Sequence, residues 1–236
     1  MHASTNSTTA PAISPRNLPG WVRWISIVEV VVVTGSVLVL IWLVQPSGTP
    51  GMDLAFRVLI VGGMLVSNVL HRDSFERLGI RFDNLARAAR VILPPTAIAA
   101  GVVVALGLIL SSPRLSLQRL LLNFGYYLLW GFAQQYALQG FILLRLLDGG
   151  LTRRAPRAAA ALFALVHFPN PGLVVMTFSA GWMWCALFRR EPNILILAVS
   201  HAFLAVVADT MLPAAVIGGY HLGPKYLQWA NTELWR

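Results

Sequence analysis

Apolar runs of about twenty residues alternate along this chain with short basic connections, and each run is near the length a helix needs to cross a bilayer core. The first extends from Trp21 to Val44, with Trp21, Trp24 and Trp42 at its ends as interfacial anchors. Inside it sits Glu29, either paired with Arg23 near the interface or lying as an acid close to an interior site. After the turn QPSGTPG, a second run covers Leu54 to Leu70. The stretch HRDSFERLGIRFDNLARAAR is too charged to span, yet Phe75, Leu78, Phe82 and Leu85 recur at near-helical spacing and predict a short element on the membrane surface. Val91 to Leu110 is a third span, and Leu117 to about Leu144 a fourth. An alanine-rich segment from Ala158 to Phe168 stops at Pro169-Asn170-Pro171. It is short for a span, so it should end inside the protein or continue as a bent element into Gly172 to Phe188. Ile194 to Leu212 spans again, and Pro213 to Pro224 reads as a short or re-entrant piece.

The pattern predicts an all-α, polytopic transmembrane bundle of about seven or eight segments. Residues 1–20, rich in Ser, Thr, Asn, Ala and Pro, are expected to be a disordered tail, residues 21–224 one membrane domain, and residues 225–236 a second tail.

Composition agrees: 57% of the residues are hydrophobic and 11% charged, which excludes an ordinary soluble globule. A net charge of +9 could point to nucleic acid, but the basic residues fall in short runs between apolar segments, so no nucleic-acid partner is expected. They act as topology signals. Five arginines lie between Arg72 and Arg90, four between Arg145 and Arg157, and two at Arg189 and Arg190, whereas the alternate loops hold Arg114 and Arg119. The rich loops, and the N-terminus with Arg16, are therefore expected on the cytoplasmic side of a multi-pass protein in a bacterial inner membrane. The single cysteine, Cys185, excludes an internal disulfide and, within MWCALF, reads as a buried thiol.

Candidate chemistry starts at WGFAQQYALQGFILLRL, where Gln134, Gln135 and Gln139 interrupt an apolar run. Exposure of three primary amides to lipid would cost several kcal/mol, so they should face the interior. On an α-helix Gln135 and Gln139 share a face and Gln134 flanks it. Counting from the basic ends of their segments, Gln134, His167 and His201 fall roughly 15, 15 and 12 Å deep, at one level near the bilayer midplane.

These residues resemble the signature of the CAAX protease and bacteriocin-processing (CPBP) intramembrane protease family: EExxxR on one helix, FxxxH on the next, and HxxxN or HxxxD on a later one. QQYALQ, Gln134 to Gln139, occupies the first pattern; Phe163 to His167 matches the second and continues as HFPN; His201 matches the third, with Ala205 where Asn or Asp is expected. The similarity covers about Leu117 to Asp209, and RLGIRF resembles the family's pre-core loop. It implies a CAAX-protease-like helical fold and catalytic positions at Gln134, Gln135, Gln139, His167 and His201. In the family the first Glu, with the histidines, activates water, the second Glu and the Arg support the site, and the Asn holds the oxyanion.

Gln134 has no ionisable proton acceptor, and Gln139 brings no positive charge, so here the set is neutral throughout. Three arrangements stay open. His167 or His201 serves as the base; both histidines bind a divalent metal, for which two ligands fall short of the usual three; or Glu29 or Asp209 supplies a carboxylate from another helix. No cofactor is otherwise expected. The resemblance implies an endopeptidase acting, among membrane lipid, on a peptide or prenylated peptide. The alternative is a catalytically silent relative that binds a lipidated peptide or scaffolds a membrane partner.

Overall fold

The computed structural model describes residues 13–110 and 117–233, and side chains in all of these except 117–122. Among the described residues every regular element is helical. Helix α1 (Gly20–Val39) continues through a π-helical stretch, Leu40–Val44, and a 3-10 turn, Gln45–Ser47, and is followed by α2 (Pro50–Leu70), the single-turn α3 (Phe75–Leu78) and α4 (Leu85–Ile109). Next, α5 (Leu117–Gln135) runs through a π-helical segment, Tyr136–Leu143, into α6 (Leu144–Asp148). The chain closes with α7 (Ala155–Leu165), α8 (Pro171–Arg190), α9 (Ile194–Met211), α10 (Ala214–Ile217), a 3-10 turn at Gly218–Tyr220, and α11 (Gly223–Glu233).

Five helical stretches are long and apolar enough to cross a membrane: Gly20–Ser47, Pro50–Leu70, Leu85–Ile109, Pro171–Arg190 and Ile194–Met211. They are dressed for lipid rather than water: Val31, Val32, Leu59, Ile98 and Val102 are exposed while Thr34, Ser67, Asn68 and Thr96 are buried. The protein is an integral membrane protein. Helix α9 packs between α4 and α5, α7 pairs with α8, and the π-helical segment touches helices on several sides. The core gathers around Leu138, Phe141 to Leu144, Leu147, Cys185, Phe188, Ile194 and Leu197.

On the arginine-rich side a buried ion network fixes the helix that carries the glutamines. Arg16 reaches Asp73 (2.7 Å) and Asp148 (2.6 Å), Arg77 reaches the same two carboxylates (3.0 and 2.7 Å), and Arg145 reaches Asp73 (2.8 Å), Asp148 (3.5 Å) and Glu29 (3.2 Å). His71 completes the ring against Glu29 at 3.1 Å. Glu29 thus binds His71 and Arg145, neither Arg23 nor the histidines of the candidate site. Arg145, counted in the sequence as a topology signal, is fully buried here.

A second polar knot sets the start of α9. Asn193 accepts from Ile196 N as its N-cap (3.0 Å) and donates to Arg81 O (2.9 Å) and to Asn84 Oδ1 (2.7 Å); Asn84 in turn donates to Glu191 (2.6 Å). Gly79, at φ 75°, ends α3 where a side chain would strike the Phe188 ring, and its carbonyl accepts from Ile194 N at 2.8 Å.

The chain's two ends differ from their reading as tails. Residues 1–12 and 234–236 lie outside the described residues, but Ile13 is buried, its N–H donates to Arg189 O (3.0 Å), and Arg16 enters the ion network. Residues 223–233 form α11, burying Tyr226 and Ala230. Tyr226, Trp229 and Ala230 fall on one face of this helix while Leu227 and Gln228 are exposed, so low average hydropathy concealed a docked element.

The alanine-rich segment ends early, as α7, and the chain turns at HFPN into α8. Asn170 organises that turn: its side chain accepts from Leu173 N (3.1 Å) and donates to Ile217 O (2.9 Å) and His221 O (3.1 Å), pinning the α10 region over the junction. Gly172 lies so near Val216 that an added Cβ would overlap its carbonyl oxygen.

Candidate functional site

Gly131 in α5 lets two backbones approach. A Cβ there would meet His201 Cβ and Cγ at 3.3 Å and Ala198 O at 3.4 Å, so glycine opens the space in which the His201 side chain sits between α5 and α9. One turn later, Gln135 Nε2 donates to His201 Nδ1 at 3.3 Å. From α8 the Trp184 ring stacks on the imidazole, with centroids 4.7 Å apart and planes 14° from parallel.

The indole is itself held by a directed relay. Trp184 Nε1–H donates to Ser200 Oγ (2.9 Å), Ser200 and Thr96 share a hydrogen bond (2.7 Å), and Thr96 Oγ1 donates to Ile92 O (2.8 Å). Thr96 uses its one proton on the carbonyl, so Ser200 must donate to Thr96 and accept from the indole. His201 is therefore fixed at its edge by an amide and on its face by an indole.

His167 follows α7. Its Nδ1 donates to Phe163 O at 2.7 Å, the Phe163 ring lies edge-on at 5.0 Å, and the imidazole is buried within electrostatic range of His201. The spacing of four in the sequence thus joins a backbone carbonyl to the histidine one turn on. Among the described residues His167 Nε2 has no hydrogen-bond partner.

The glutamines separate. Gln135 faces His201, but Gln139 Nε2 points to Cys185 Sγ in α8 at 3.8 Å, and Gln134 is half-buried with no side-chain partner among the described residues. The two amides lie one turn apart and meet different neighbours, Gln135 the imidazole of α9 and Gln139 the thiol of α8, so sharing a helix flank does not give them one target. Among the described residues, both Gln135 Oε1 and Gln139 Oε1 are buried without a partner. A buried acceptor left open in this way is costly unless water or a ligand meets it.

Neither candidate carboxylate joins the histidines. Glu29 belongs to the ion network, and Asp209 accepts from Asn123 Nδ2 at 3.0 Å near the far end of α9. Ala205 offers no side-chain polar group, but its carbonyl accepts from Tyr220 OH at 3.2 Å. Among the described residues no three His, Cys, Asp or Glu side chains are placed to hold a metal ion, and at the histidines the donor set falls short of the three protein ligands a catalytic zinc takes.

Sequence reasoning did not single out Trp184, Ser200, Thr96, Tyr136 or Asn68. Tyr136 OH accepts from Asn68 Nδ2 (2.6 Å), and Asn68 Oδ1 accepts from Arg145 (2.6 Å), so the ion network is hydrogen-bonded through to the residue beside Gln135. The available signal was polarity inside spanning runs: each hydroxyl or amide there must find a partner.

A family model described as Type II CAAX prenyl endopeptidase Rce1-like matches residues 16–207, a range that holds the ion network, the three glutamines and both histidines. The chain matches no curated protein and no solved structure.

Proposed function

Because the chain belongs to the Rce1-like family of type II CAAX prenyl endopeptidases, we propose that it is a divergent intramembrane endopeptidase whose base is a neutral imidazole instead of a carboxylate. Its substrate is a peptide or prenylated peptide arriving from the arginine-rich, cytoplasmic side. The observation that carries this reading is the opposite polarity of the two imidazoles. A carbonyl can only accept, so Phe163 holds the His167 proton on Nδ1 and leaves Nε2 as a lone pair. An amide nitrogen can only donate, so Gln135 makes His201 accept at Nδ1 and carry its proton on Nε2.

One ring is thereby a proton acceptor and the other a donor. His167 Nε2 takes a proton from water as the water oxygen bonds to the scissile carbonyl carbon, and His201 Nε2–H donates to the oxyanion of the tetrahedral intermediate. When the C–N bond breaks, His167 returns the proton to the departing amine, and both histidines are as they began. The open Gln135 Oε1 is an acceptor for the water's second hydrogen.

A second reading, a silent relative that binds lipidated peptides, draws on the absence of a carboxylate beside the histidines among the described residues. The test is cleavage of a quenched-fluorescent, prenylated CAAX-type peptide by the purified protein. The parent should cleave, and His167→Ala and His201→Ala should each lower kcat/KM by about 100-fold or more. An inactive parent that gains cleavage on combined Gln134→Glu, Gln135→Glu, Gln139→Arg and Ala205→Asn substitution would overturn the imidazole mechanism in favour of the silent relative.

A further inference from the structure

Five arginines on the basic face are paired with carboxylates. Arg16, Arg77 and Arg145 share the carboxylates of the ion network, Arg81 pairs with Asp83 and Arg87 with Glu191. A group of four differs. Arg153 and Arg157 at the start of α7, and Arg189 and Arg190 at the end of α8, line one cavity of about 310 Å³ together with Trp182. No carboxylate lines it, and among the described residues none of the four forms an ion pair.

The helices bring them together through close packing: at Gly181 an added Cβ would lie 3.5 Å from the Ala160 backbone and 3.3 Å from the Phe163 ring. Two of the four are already oriented. The Arg157 guanidinium sits over the Trp182 ring at 4.9 Å, and Arg189 Nη1 donates to Thr152 O at 3.1 Å while its Nε is buried with no partner among the described residues. Four like charges around one space repel unless an anion occupies it. A buried guanidinium N–H with no acceptor marks where an oxygen would bond.

We propose that this cavity binds the phosphate of an anionic phospholipid headgroup. Its position selects a lipid over a soluble phosphate ester. Trp182 lies eight residues before Arg190, about 12 Å down a membrane-spanning helix, and is 41% exposed. The phosphate meets the guanidinium groups at the basic rim, and the acyl chains run down past the indole along α8. Neither His167 nor His201 lines the cavity, so the inference is independent of the proposed catalysis.

The test uses the full-length protein in zwitterionic detergent, with short-chain phosphatidylglycerol and phosphatidylcholine titrated in and bound lipid counted by native mass spectrometry. Phosphatidylglycerol should bind more tightly than phosphatidylcholine. Combined Arg153→Gln and Arg190→Gln should weaken phosphatidylglycerol about 30-fold while leaving phosphatidylcholine unchanged. Combined Arg153→Lys and Arg190→Lys, which keeps the charge, should retain most of the preference and shows that the loss is not misfolding. Equal binding of the two lipids by the parent, or undiminished phosphatidylglycerol binding by the glutamine variant, would overturn the site. Displacement of phosphatidylglycerol by millimolar inorganic phosphate alone would overturn the lipid assignment in favour of a soluble phosphate ligand.

Discussion

Asp148→Asn probes the ion network at its centre. Asp148 receives Arg16 at 2.6 Å, Arg77 at 2.7 Å and Arg145 at 3.5 Å, and its side chain is fully buried. With His71 uncharged, Arg16, Arg77 and Arg145 are balanced by Glu29, Asp73 and Asp148. The amide keeps the shape but leaves three cations facing two anions. Leaving a buried charge without its partner costs about 3–5 kcal/mol. For a chain of this size, at about 2–4 °C per kcal/mol, the midpoint should fall by about 6–20 °C in a tryptophan-fluorescence melt of the detergent-solubilised protein. Arg16 is the most exposed of the three cations, at 27% for its side chain, so Arg16→Gln should cost less. Combining Arg16→Gln with Asp148→Asn restores equal numbers, two against two, and should recover about 1–3 kcal/mol relative to the sum of the single changes. An Asp148→Asn protein melting within about 2 °C of the parent, or strictly additive losses, would refute the balanced-charge account.

Acid should weaken the fold through His71. Burial, and next the Arg145 guanidinium, hold its imidazole below the usual value near 6.5 against the pull of Glu29, Asp148 and Asp73. As pH falls through that value the unfolded chain takes up the proton first, so stability drops between the ordinary and the depressed pKa; melts from about pH 7.5 to about pH 5.5 should show this decline, and His71→Gln should flatten it. Gly172→Ala should force α8 away from the α10 region, since its Cβ would overlap the Val216 carbonyl; a clear fall in melting midpoint is expected, whereas a midpoint equal to the parent's would show that the junction yields freely.

The sequence exposed the parts of this molecule that follow from average polarity. Long apolar runs declared the spanning helices, and Pro169 with Pro171 declared the end of α7, because lipid tolerates little else. The amides of Gln135 and Gln139 were also legible as interior groups. Their targets were not, since two amides one turn apart on the same flank meet different helices, Gln135 reaching His201 on α9 and Gln139 reaching Cys185 on α8. Arg145 was misleading for a different reason. A guanidinium at the end of an apolar run looks like any other topology signal until Asp73, Asp148 and Glu29 are seen to converge on it from elsewhere in the chain. Such convergence is long-range, and no local pattern encodes it.

The ion network also has an order in time. Arg16, Glu29, Asp73 and Arg77 belong to the part of the chain made first, and they contribute two cations and two anions. Arg145 and Asp148 emerge much later, the partners Arg16 and Asp148 being 132 residues apart, and they arrive as one cation and one anion, three residues from each other. A nascent chain that has inserted α1 to α4 therefore holds a self-neutral half-network that can settle before α6 exists. The late pair then docks without carrying net charge into the membrane interface, and Arg145 brings Glu29 its guanidinium partner.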